Sequence, residues 1–290
     1  MHEALSMSPT SHDDLQARVR STLARLSQTG ALPSLPAAAS AALSLARDPE
    51  ADVDKLCRVI QTDMGLAARV LRVANSAALG RRNPARKLQE AIITVGLRKT
   101  CDIMVAACAK RLFESATART EELWNHSLAV GVAAEELARA TRKVELGCAF
   151  LPGLFHDVGR VAFLLADETA AEVIEGLSSN GAGCNAYFER EWYGFDHAEA
   201  GAILAEDWGL ALELCDAIRW HHEPNDAGAA IELAKILNAA DALAYQIGCG
   251  TNLAPPPGVT ISDLGLSVED VEALAERVRT VWEEQRDLLA

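Results

Sequence analysis

Five of the seven histidines, His126, His156, His197, His221 and His222, lie beyond position 120, in the phrases LWNHSLAV, LFHDVGR, GFDHAEAGA and AIRWHHEPND. Asp157 follows His156 directly, and Asp241 stands alone in the apolar run ILNAADALA. A carboxylate there is costly to bury unless it is paired or metal-bound. Taken singly, each His reads most simply as a satisfied or solvated side chain. His156-Asp157 reads equally well as a helix-end His and a capping Asp. Taken as a set, mixed imidazole and carboxylate groups suit a divalent ion such as Fe, Mn, Zn or Mg, with ligands converging from several helices. Such an ion lowers the pKa of a bound water and makes it a nucleophile toward phosphorus. Hydrolysis also needs an open coordination position and a clamp for phosphate, and neither is directly legible in a sequence.

The elements that must position these groups are helices. Leu15, Val19, Leu23 and Leu26 form one stripe at helical spacing, and Leu66, Val70 and Val73 form another. A third stripe, Val268, Val271, Leu274, Val278 and Val281, follows Ser267-x-x-Asp270, which resembles a capping box. No run sustains strand-like alternation, so an all-α chain is expected. Breaks fall at 32–36 (LPSLP), 47–52, 80–84, 178–185, 221–228 and 252–260, the last rich in proline. They suggest an N-terminal extension over 1–23, a helical lobe over 24–120, a second helical lobe over 121–250, and a linker with a returning C-terminal helix over 251–290.

Charge supports two lobes. Residues 1–120 hold 17 Lys and Arg against 11 Asp and Glu, whereas residues 121–290 hold 10 against 30. Lobes so charged would attract each other. The alternative use of the basic cluster Arg81, Arg82, Arg86, Lys87, Arg98 and Lys99 is nucleic-acid binding, but it lacks interleaved aromatics, so nucleic acid is not the expected partner. The seven cysteines are scattered without a CxxC, which suits buried thiols in a reducing cytoplasm. No apolar run reaches the roughly 18 residues of a membrane span, and residues 1–30 lack the apolar segment of a secretory signal.

The order His126, His156-Asp157, Asp241 is similar to the ligand set H…HD…D of the HD superfamily of metal-dependent phosphohydrolases. With His197 and His221-His222 added, residues 121–247 resemble the binuclear HD-GYP branch, which hydrolyses cyclic di-GMP. Two departures count against that branch. After HHE the chain runs PNDAGAAIELAKILNAAD with no Gly-Tyr-Pro, and HDxGK becomes HDVGR, placing Arg160 where lysine is usual. Arginine keeps the charge and can clamp phosphate, but it is a different group.

The first lobe points to a narrower family. LPSLP, DMGLAARVLRVANSAALG (63–80) and AIITVGLRKT (91–100) resemble the HDOD domain, the HD-related output domain of bacterial signalling proteins. WNHS, GLFHDVGR, HAEAGAILAEDWGL and AIRWHH fit the same family, and the likeness covers about residues 24–247. The resemblance implies an HD-like helical bundle in the second lobe and a signalling or scaffold role through protein–protein contact. Partners would be signalling proteins acting in trans, and a nucleotide ligand is possible. Many HDOD domains have lost the metal ligands, whereas this chain keeps His126, His156, Asp157, His197, His221, His222 and Asp241. The expectation is an inherited metal site with little or no hydrolysis; the alternative is an HD-type phosphohydrolase acting on a nucleotide, with Arg160 as its phosphate clamp.

Overall fold

The computed structural model describes residues 12–28, 35–76, 83–113, 118–179, 185–251 and 261–289, and every regular element among them is helical. Arg81, Arg82, Cys184, the proline-rich break at 252–260 and most of LPSLP lie outside the described residues.

After α1 (His12–Gln28), the first lobe is built from α2 (Ala37–Arg47), α3 (Val53–Ile60), α4 (Met64–Ala74), α5 (Leu88–Val95) and α6 (Leu97–Ala109). Asp52 and Asp63 start α3 and α4 by accepting hydrogen bonds from the backbone N–H groups of Lys55 and of Gly65 and Leu66. Helix α6 is buried all round from Thr100 to Ala109, mostly through apolar side chains but with Thr100 and Asp102 among them. It packs on α2 and reaches α8 of the second lobe.

The second lobe comprises α7 (Ala118–Thr141), α8 (Phe150–Phe155), α9 (Val158–Ala166), α10 (Glu168–Ser179), α11 (Asn185–Tyr193), α12 (His197–Asp207), α13 (Leu212–Arg219) and α14 (Ile231–Gln246). Helix α7 packs on α8 and α14, and α12 packs on α9 and α13. The final helix, α15 (Val268–Leu289), returns to lie on α7 and touches α4. Its start is a reciprocal capping box: the Asp270 N–H donates to Ser267 Oγ, and the Ser267 N–H donates to Asp270 Oδ2.

The predicted stripes face inward where packing demands it. Val19, Leu23, Leu66, Val70, Leu274 and Val278 are buried, but Val268, in the first turn of α15, is 75% exposed. The proposed division between residues 23 and 24 falls inside α1. That helix packs on α12 and α9 of the second lobe, with Arg20 paired to Glu206 and Asp207. Most of the buried apolar side chains form one cluster from Val19 to Leu289, so the lobes share a core. Arg98 and Lys99 of the basic cluster serve this junction: Arg98 donates to Cys148 Sγ, and Lys99 lies 4.4 Å from the centre of the Phe150 ring. Among the described cysteines none is disulfide-bonded and all but Cys148 are buried. No described helix is long and apolar enough to cross a membrane.

Candidate metal centre

His156 and Asp157 form the two-residue break between α8 and α9. Asp157 occupies the N-cap position of α9, yet its side chain makes no capping bond. Its carboxylate points inward instead. Oδ2 accepts from Arg160 at 2.8 Å, and Oδ1 lies 3.1 Å from His197 Nε2. A capping role for this aspartate is therefore excluded.

Close backbone packing brings the elements together. A Cβ added to Gly153 of α8 would lie 2.9 Å from Gly131 Cα of α7, which is closer than side chains tolerate. That contact sets His156 near His126, their ring centroids 5.2 Å apart. Gly159 plays the same part between the starts of α9 and α12, bringing His197 to Asp157.

Four imidazoles are held alike. His126 Nδ1 lies 3.0 Å from the Cys249 carbonyl, His156 Nδ1 lies 2.8 Å from that of Gly153, and His221 Nδ1 lies 2.7 Å from that of Ile218. His197 Nδ1 lies 2.5 Å from Glu189 Oε2. A carbonyl oxygen only accepts, so Nδ1 carries the proton in the first three rings, and the neutral rings of His156 and His221 turn an Nε2 lone pair into the pocket. This is the outer-shell support that metal-bound histidines receive.

The ligand atoms of His126, His156 and Asp157 all lie within 4.8 Å of one another, and so do those of His197, His221 and His222. Asp157 of the first trio also reaches His197 of the second, and Asp241 Oδ1 lies 3.2 Å from His126 Nε2. Among the buried atoms that make no hydrogen bond are His156 Nε2, His221 Nε2 and Asp241 Oδ1. Orphaned acceptors in one buried pocket are costly unless a cation satisfies them. The donor set thus fits a divalent metal, with Asp157 able to serve two. His197 and His221 are buried like His156, and of the three histidines of the second trio only His222 is partly exposed.

Electrostatics sort the groups. Burial pushes His156 down to about 4 despite Asp157 and Asp241 nearby, and burial likewise lowers His221 and His222. Those rings are neutral at pH 7. Burial opposes charge on His197 too, but the carboxylates of Glu189 and Asp157 outweigh it and raise the ring to about 10. His126 is raised against burial by Asp241. Burial raises Asp157 and Asp241, but their cationic and imidazole neighbours overcome it and both stay ionised. Without metal, the site is a charge network in which protons occupy positions a cation would take.

Arg160 is 8% exposed and is committed to Asp157. It nevertheless borders two small clefts. One lies among Arg119, Leu123, Glu175 and Thr251, and the other lies beneath α10 and α11 beside Phe163, Asn185 and Tyr193. Each is about the size of a water molecule.

Two supporting residues were not anticipated from the sequence. Glu189, 3% exposed, anchors His197, and the Asn238 side chain donates to the His221 carbonyl at 2.8 Å. Asn238 sits three residues before Asp241, on the same face of α14, and that spacing could have revealed it. Glu189 carried no such signal in the charged segment NAYFEREWY.

The HDOD domain profile matches residues 32–224, well over half of the chain. The chain belongs to the HDOD family. A curated protein of Treponema pallidum (strain Nichols) is 28% identical to this HDOD chain over 195 residues, covering 66% of it and 37% of the Treponema protein. The chain therefore spans little more than a third of that relative's length. A candidate phosphohydrolase from Shewanella amazonensis SB2B superposes with a TM-score of 0.74 at 23% identity, covering 94% of this chain and 98% of its own. A candidate signal transduction protein from Marinobacter aquaeolei VT8 also gives 0.74 at 21% identity, covering 94% and 65%. At these identities the solved structures share the fold with this HDOD chain.

Proposed function

We propose that this chain is a signalling module of the HDOD type that keeps a divalent-metal centre for structural and regulatory ends. It engages a signalling protein through its helical surfaces and has little or no hydrolytic activity. One observation carries this reading: the His and Asp side chains gather in a pocket whose phosphate-clamp candidate, Arg160, is already bound to Asp157. His126, His156, Asp157 and Asp241 would hold one ion, with Asp157, His197, His221 and His222 available to a second. When bound, the ion would acidify a water, the starting point of HD-type hydrolysis. Turnover further demands that a phosphoryl group be oriented, and such positioning is worth roughly 7–11 kcal/mol of barrier. Arg160 gives its Nη1 to Asp157, so the group that would orient phosphate is already engaged.

The test begins with elemental analysis of protein purified without a metal-chelating tag. Metal-reconstituted protein is then incubated with cyclic di-GMP, other nucleotides and a generic phosphodiester. Stoichiometric metal with negligible turnover is expected. The intact ligand set also supports a second reading, an HD-type phosphohydrolase acting on a nucleotide. Robust turnover that Asp157→Ala abolishes would establish it instead.

A further inference from the structure

Two adjacent residues of α11, Glu189 and Arg190, hold the outer side of the centre, and they touch only one of its trios. Glu189 Oε2 accepts from both the backbone N–H and Nδ1 of His197, at 2.8 and 2.5 Å. Arg190 Nε donates to Asp196 Oδ2 at 2.6 Å, while Asp196 Oδ1 caps α12 by accepting from the Glu199 N–H. The Arg190 guanidinium also reaches Glu223, the residue after His222, at 3.1 Å. His126 and His156 take their Nδ1 support elsewhere, from the carbonyls of Cys249 and Gly153.

We propose that Glu189 and Arg190 are positioning residues that set the affinity of the His197, His221 and His222 trio for a second divalent ion, beside the ion held by His126, His156, Asp157 and Asp241. Glu189 fixes the His197 ring so that Nε2 faces Asp157. Arg190 ties the residues beside His197 and His222 to one guanidinium, which keeps the two rings converged with Nε2 atoms 2.8 Å apart. Neither side chain is a ligand, and each acts through the histidine it holds. The placement of α11 thus decides whether the centre is loaded with one ion or two.

This inference rests on the metal-centre reading, and the experiment separates the two. Chelator-stripped protein is titrated calorimetrically with Zn2+ alone, as wild type, Glu189→Gln, Arg190→Gln and Glu191→Gln, the last altering an exposed residue of the same helix. Wild type is expected to take up two equivalents. Glu189→Gln should weaken only one of them, by about 10- to 100-fold, as loss of an outer partner does elsewhere. Arg190→Gln should weaken the same equivalent less, and Glu191→Gln neither. Ring 15N shifts give a second readout, since removing the Glu189 carboxylate should move the Nδ1 resonance of His197 and leave those of His126 and His156 in place. Should that variant fail to fold, the half-exposed Arg190 carries the test, and an unchanged titration of Arg190→Gln overturns the inference. A metal-binding wild type whose profile Glu189→Gln leaves intact, or in which it weakens both equivalents equally, overturns the inference alone. A wild type that binds no zinc overturns the metal-centre reading and this inference with it.

Discussion

Gly159 lies so close to His197 that a Cβ on the glycine would fall 2.1 Å from the His197 carbonyl oxygen. The contact seats the first turn of α12 on that of α9 and leaves His197 Nε2 3.1 Å from Asp157. Gly159→Ala must push the two helices apart. A loss of about 1–3 kcal/mol or more is expected from such overpacking, together with weakened metal uptake. Urea unfolding of chelated protein measures the first, and zinc titration measures the second. Wild-type behaviour in both would contradict this account of the packing.

Asp157 is the anionic hub of the metal-free site, holding buried Arg160 and His197. Its removal strands two cations, and breaking a buried pair in this way costs about 3–5 kcal/mol. His156 is neutral at pH 7, so His156→Ala forfeits only packing and one hydrogen bond. In chelator, Asp157→Ala should therefore be the less stable variant by chemical denaturation. The opposite order would show that the network is not organised around Asp157.

Opposite shifts on two histidines give the chelated chain a stability maximum in pH. His197 is raised to about 10, so its contribution is complete below the ordinary value of 6.5 and is lost as pH rises through 10. His156 is lowered to about 4, so its contribution is complete above 6.5 and is lost as pH falls through 4. Thermal melts in chelator should accordingly peak near pH 6.5, the ordinary value of both rings. A bound ion displaces the His197 proton, so the gain in Tm on metal loading should grow with rising pH. A gain that shrinks as pH rises would exclude His197 as a ligand.

Asp102 lies outside the centre, on α6, 1% exposed and with Oδ1 making no hydrogen bond. Burial raises it to about 7 even though Lys99 and Arg98 favour its charge. Stability from the protonated form is complete below the ordinary 3.8 and is lost as pH rises through 7. Asp102→Asn should flatten that slope, adding on the order of 2 kcal/mol near pH 8 and little near pH 4. Denaturation curves of both proteins at the two pH values provide the check.

The helical class, the start of α15 and the set of His and Asp side chains that the fold gathers were all legible in the sequence. Local chemistry is enough for these. Apolar spacing selects a helix, Ser267 and Asp270 cap their own first turn, and seven His and Asp side chains in HD order have few other uses together. Tertiary structure alone decided which partner each group meets. Arg160 reads as a free clamp until the turn at Asp157 shows their ion pair, and Glu189 is one acid among the many of an acidic half until α11 is laid beside α12. Position 24 looks like a boundary until α1 is seen to run through it onto the second lobe. Hydrogen-bond donors and charges find partners across distances in the chain that only helix packing closes, so their roles are set by which backbones, at Gly153 and Gly159, can approach.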